Sequence, residues 1–179
     1  MSVLLPIPCW QPRIVFSYLL FAFAFHCVDA SPIFSQDTTE ESESQKLAER
    51  YLGVLERNPQ RGTAFEKVVE NYPTNEQLVK LIERYAKRAS DSPNDFSALM
   101  IVGLLEQYRQ SDASAIAAFS KASQLKEDSP LPWISLGECY RDSGEAQKAI
   151  EAFERAMQCK LNRASLVDIC EQTGRLYLR

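Results

Sequence analysis

The stretch PWISLGECYRDSGEAQKAIEAFERA, Pro132 to Ala156, decides the fold. Trp133, Leu136, Gly137 and Tyr140 fall at i, i+3, i+4 and i+7, along one face of a helix. Ala149, Phe153 and Ala156 repeat that spacing on a second helix. Gly144 stands between the two, where a left-handed residue ends a helix at little cost. Small residues at Gly137, Ala149 and Ala156 allow the helices to approach closely. Trp133, Tyr140 and Phe153 fill the space between them.

The pattern recurs. Moving back 34 residues pairs Gly137 with Gly103, Ala149 with Ala115, Ile150 with Ile116, Phe153 with Phe119 and Ala156 with Ala122. Leu99 then stands where Trp133 does. A second move of 34 is weaker, but Phe65, Val68, Tyr72, Leu81, Ile82 and Tyr85 keep the apolar character and Pro93 takes a closing position. An ordinary bundle has no reason to repeat at this interval.

These residues resemble the tetratricopeptide repeat, W-x2-L-G-x2-Y…A-x3-F…P. Trp133, Leu136, Gly137, Tyr140, Ala149 and Phe153 match, and Leu161 departs from the closing proline. The resemblance implies an all-α solenoid of helical hairpins that binds other proteins. Three repeats are expected at about 62–95, 96–129 and 130–163, with a partial fourth at 164–179. In the fourth, Cys170, Gly174 and Tyr177 align on Trp133, Gly137 and Tyr140, which makes the last helix either a cap or the start of a further hairpin.

Working outward, Thr74 with Gln77 predicts a capping box for a helix carrying Leu78, Leu81, Ile82, Tyr85 and Ala89. Ser111-Asp112 and Ser129-Pro130 are read as helix starts. Phe65, Val68, Val69 and Tyr72 form a shorter helix that Pro73 ends. Residues 45–61 hold an N-terminal helix with Leu47, Tyr51, Val54 and Leu55 as its apolar stripe, stopped at Asn58-Pro59. Residues 31–44, SPIFSQDTTEESES, are polar and acidic and read as a disordered linker. Met1 to Ala30 has the form of a secretory signal peptide: Arg13, an apolar run from Ile14 to Phe25, and Val28-Asp29-Ala30 before a cleavage point at Ser31. The alternative is that this segment stays as an uncleaved membrane anchor. Arg50 to Ala64 also resembles the start of exported tetratricopeptide proteins of planctomycete bacteria.

Composition narrows the function. The 179 residues carry a formal net charge of −4 and no basic block, which argues against nucleic acid. The one histidine, His26, lies in the leader, so the remaining chain lacks Ser-His or Cys-His catalysis and histidine metal sites. There is no phosphate-cradling glycine loop. Beyond the leader, Cys139, Cys159 and Cys170 form neither a C-x-x-C pair nor an even set. Cys159 and Cys170 lie level enough for a bridge in an oxidising compartment, while free packing is the commoner use of such cysteines. The chain is therefore read as no enzyme, with no cofactor and no metal.

Binding is the better reading. In a solenoid the first helices of successive repeats line the inner face. The inward candidates are Met100, Leu104 and Tyr108 in the second repeat and Ile134, Glu138 and Arg141 in the third, with Glu66 and Glu70 on the same line of the first. Such a groove suits an extended peptide or a helix with an apolar anchor. The same apolar residues would equally serve as core. One tetratricopeptide subclass clamps a C-terminal carboxylate with lysine, asparagine and arginine; Glu66, Glu70, Ile101 and Ser135 stand on those lines here, so no clamp is expected. The expected role is an exported interaction scaffold with a protein or peptide partner. The alternatives are a docking segment of a larger protein, or an assembly factor tethered to the membrane if the leader is retained.

Overall fold

The computed structural model describes residues 37–178, with side chains from Glu43 onward. The predicted leader and the first part of the linker lie outside the described residues. What is described is all-helical: α1 (Asp37–Arg57), α2 (Thr63–Asn71), α3 (Asn75–Asp91), α4 (Phe96–Tyr108), α5 (Asp112–Leu125), α6 (Pro130–Asp142), α7 (Ala146–Gln158) and α8 (Arg163–Tyr177). Helix α1 begins at Asp37, so residues 37–44 are helix where a flexible linker was expected. The acidic composition that reads as a tether also suits the first turns of a helix, where the backbone dipole favours negative charge.

The two C-terminal hairpins follow the 34-residue offset closely. α4 packs on α5 and α6 on α7. Gly103 and Gly137 lie under the rings of the following helices. A Cβ at Gly103 would stand 2.6 Å from Phe119 Cδ1, and one at Gly137 would stand 2.5 Å from Phe153 Cδ1. Ala115, Phe119, Ala122, Ala149, Phe153 and Ala156 are fully buried, and Leu136 nearly so. Trp133 and Tyr140 are partly buried and join the two clusters of the core. The Arg155 guanidinium lies 5.6 Å from the Trp133 ring centre and the Lys148 ammonium 5.4 Å from that of Tyr140.

The hairpin turns are built alike. Gly144 is left-handed (φ 80°), and one repeat earlier Gln110 takes the same conformation (φ 61°). Ser111 N–H donates to the Glu106 carbonyl at 2.9 Å and Gln110 N–H to that of Gln107 at 3.0 Å. Glu145 and Gly144 repeat both bonds, to Tyr140 at 2.8 Å and Arg141 at 3.1 Å. Each pair satisfies carbonyls that a helix end leaves unpaired.

The predicted capping box forms: Gln77 N–H donates to Thr74 Oγ1 at 3.2 Å and Thr74 N–H to Gln77 Oε1 at 3.3 Å. Ser111 and Ser129 stand at N-cap positions but their hydroxyls make no capping bond. Two caps not expected from the sequence do form. Asp95 accepts from Ala98 N–H at 2.9 Å and Asn162 from Ser165 N–H at 2.9 Å.

The first repeat differs from expectation. α2 packs on α1, not on α3, so 62–95 is not a hairpin. α1 instead lies against α4, as α4 does against α6, and α3 packs on α4 as α5 does on α6. α1 and α3 are joined by polar contacts: Arg84 to Glu49 at 2.7 Å, Tyr85 hydroxyl to Glu56 at 2.9 Å, and Arg88 to Glu56 at 2.5 Å. Leu52-Gly53 repeats the Leu136-Gly137 pair in sequence, but no ring closes on Gly53. The buried face of α1 is Ala48, Leu52 and Leu55; the predicted stripe residues Leu47 and Val54 are exposed. Embedding between α2 and α4 selects a face rotated by one residue from the one periodicity suggests.

Candidate functional site: the inner helix face

Helix α4 is apolar almost all the way round, with Glu106 as its one charge, and α1, α3, α5 and α6 all pack on it. Met100 and Leu104 are accordingly 0% and 1% exposed. They join the same core cluster as Leu52, Leu55, Phe65 and Val68. This corrects their expected role: they are core, not a contact surface, because pointing inward does not leave a residue accessible once another element lies over it.

The remaining candidates stay at the surface. Tyr108 is 48% exposed and its ring meets that of Phe65 edge-on, with centres 6.1 Å apart and planes at 74°. Around these two rings Arg61, Gly62, Glu66, Val69 and Glu70 line a shallow pocket. Ile134 and Glu138, both half-buried, line a second hollow. Its other walls are Pro59, Gln60 and Arg61 from the α1–α2 turn and Ser165, Asp168 and Ile169 from α8. Arg141 is half-buried and engaged: it donates to Asp142 Oδ1 at 2.9 Å and to Gln172 of α8.

Sequence reasoning missed Gln107, one turn along α4 from Leu104. It is 6% exposed; its side-chain oxygen has no partner, and its amide nitrogen reaches only the Glu138 carboxylate, short of good hydrogen-bond geometry. It lies beside Glu138 of the next first helix. Burial raises the Glu138 carboxyl above the ordinary value of 4.5, and the nearby Arg61, Arg141 and Gln107 amide only partly offset it. The place therefore holds a carboxylate short of positive charge and an amide short of partners. A glutamine in an apolar helix is the signal that could have found it.

Among the described residues Cys139, Cys159 and Cys170 are free thiols. Cys159 Sγ faces the carbonyls of Glu127 and Arg155, while Cys170 Sγ lies 3.8 Å from Met157 Sδ. The two thiols address different neighbours and do not bridge. Burial pushes the Cys139 thiol up to about 12, which makes it an inert packing group.

A hollow that the sequence reading did not anticipate lies between α3 and α5, lined by Ala86, Ala89, Leu99, Val102, Ala118 and Leu125 among others. One repeat on, the equivalent place carries Trp133, Tyr140, Lys148 and Arg155.

No family model matches the sequence, and no curated protein matches it. Among solved structures, the chain overlays a crystal structure of MamA with a TM-score of 0.55 at 21% identity, covering 79% of this chain and 81% of that one. A second MamA structure gives the same score and identity over 79% and 75%. MamA contains tetratricopeptide repeats. The fold is a tetratricopeptide-type solenoid. At 21% identity the likeness concerns the fold alone.

Proposed function

We propose that this chain is an exported, non-catalytic interaction module that holds a protein or peptide partner along its inner helix face. The observation that carries the reading is that Tyr108, Ile134 and Glu138 come to the surface on successive first helices of a solenoid. Export rests on the pattern of Met1–Ala30, and the likeness to planctomycete proteins on Arg50–Ala64. The alternatives are a docking segment of a larger protein and a tethered assembly factor with its leader retained.

The test is affinity capture from an extract of the source organism, followed by reconstitution with the purified partner. Wild type is compared with a Tyr108→Ala, Arg141→Glu double variant of matched helicity. A substitution at Met100 would only break the core. A partner held by wild type and lost by the variant is the expected result. A partner held equally by both would move the site off the inner face. No saturable partner for either would sink the interaction reading.

A further inference from the structure

Gly53 and Gly103 are 50 residues apart, 16 more than the 34 between Gly103 and Gly137. The excess corresponds to the α1–α2 turn and α2, an element without a counterpart in the other repeats. It lies on the inner face. Pro59 is buried although Asn58 and Gln60 beside it are exposed. Gln60 and Arg61 wall the hollow at Ile134 and Glu138. Phe65 meets Tyr108. A segment of this chain therefore covers the surface that a solenoid of this kind would offer to a partner.

Resting on the function proposed above, we propose that residues 59–69 are a resident ligand of the inner face, and that the partner is a peptide of the same chemistry: a basic residue followed four positions on by an aromatic. Arg61 and Phe65 define that spacing. The fit of the resident segment is incomplete. Arg61 makes no ion pair among the described residues, and the side-chain oxygen of Gln107, a residue 6% exposed whose amide nitrogen leans on Glu138, has no donor. A partner that brings its cation to the Glu138 carboxylate and a backbone amide to Gln107 satisfies both groups, which the resident segment leaves wanting. Release has a hinge: Gly62 sits at φ 151°, a conformation that side chains resist, immediately before α2. The carboxylates of Glu66 and Glu70, both exposed at the rim, favour an approaching basic segment.

The experiment uses the full chain and a labelled synthetic peptide of residues 58–71 as the probe, read by fluorescence anisotropy. A tethered segment competes at an effective concentration on the order of millimolar, so wild type is expected to bind the probe weakly. Arg61→Glu turns the tethered competitor's charge against Glu138, and probe affinity is expected to rise roughly tenfold. Amide exchange over 63–71 quickens in the same variant. Glu138→Arg abolishes binding of this probe, and a probe with glutamate at the Arg61 position restores it. Equal affinity for wild type and Arg61→Glu, or unchanged exchange over α2, overturns the resident-ligand proposal. So does a probe lacking both the arginine and the phenylalanine that binds as well as the original. Arg61 is exposed, so its variant keeps the fold, and matching thermal midpoints check this. Failure here leaves partner capture by the wild type standing, and only failure of that capture removes the broader reading.

Discussion

Three glycines distinguish backbone need from packing need. Gly103 and Gly137 are required because a ring occupies the place of their missing Cβ. Alanine at either forces Phe119 or Phe153 aside within a full core, and a loss of about 1–3 kcal/mol in urea unfolding is expected. Gly174, inside α8, has nothing within 4 Å of a built Cβ. Alanine there is expected to add about 0.5–1 kcal/mol by restoring helix propensity. Equal effects at Gly137 and Gly174 would contradict the packing account. Gln110 carries the opposite error: a side chain at a left-handed turn position that its counterpart fills with glycine. Gln110→Gly is expected to stabilise by about 0.5–1 kcal/mol, net of the freedom that glycine gains in the unfolded chain. Glu138 sets a pH dependence. Its folded pKa lies above the ordinary 4.5, so its contribution is fully favourable below that value and is lost as pH rises through the folded one. Arg61, Arg141 and the Gln107 amide oppose that shift, and Asp142 adds to it. Glu138→Gln is therefore expected to be more stable than wild type at pH 7.5, with the difference shrinking toward pH 4.5. Paired urea titrations at those two pH values check the sign.

Helix boundaries depend on which polar side chains reach the backbone, and here sequence and structure agree unevenly. The Thr74–Gln77 box was legible because both partners of a reciprocal bond sit at a fixed spacing. Asp95 was not, because its role comes from convergence: Ala98 N–H, the Ser97 hydroxyl at 2.8 Å and Arg88 Nε at 2.6 Å all meet one carboxylate. Burial alone would raise that carboxyl, but these three donors outweigh it and hold the pKa below the ordinary value. Asp95→Ala is expected to cost about 1–2 kcal/mol at neutral pH, the upper end of a cap's worth, since it also leaves Arg88 with Glu56 as its one carboxylate partner. Thr74→Ala, a more exposed cap, is expected to cost about half as much. Helix α2 shows the limit of reading by period. Phe65, Val68 and Val69 have the right spacing and are buried, yet the helix packs on α1. Spacing gives the face of a helix but does not name the helix it meets. The same limit misplaced Met100 and Leu104, which the neighbouring helices bury in the core.

At the scale of the molecule, the C-terminal half was legible because each hairpin repeats the same small-to-large contact at the same offset. The N-terminal half was not, because a 16-residue excess breaks the register without breaking the apolar pattern. That asymmetry bears on how the solenoid opens. Stability in such arrays is close to a sum over neighbouring elements, so elements with fewer neighbours open at lower free energy. Helix α4 is enclosed by four others and contributes Met100, Ile101, Leu104 and Leu105 at 1% exposure or less. Helix α8 packs on α7 and buries only Ile169, Thr173 and Leu176, while Leu166, Val167 and Tyr177 face outward. Its links beyond packing are few: Arg141 to Gln172, the Cys170 thiol to Met157 at 3.8 Å, and the Tyr177 hydroxyl to Glu154 at 3.0 Å across exposed surface. Amide hydrogen exchange is therefore expected to be slowest in α4, intermediate in α5 to α7 and fastest in α8, with α8 opening by itself before global unfolding. Arg141→Ala is expected to speed exchange in α8 and leave α4 unchanged. Uniform protection across α4 to α8 would mean that the last helix folds as part of a single cooperative unit, and the open face of α8 would then be a fixed surface of the native state.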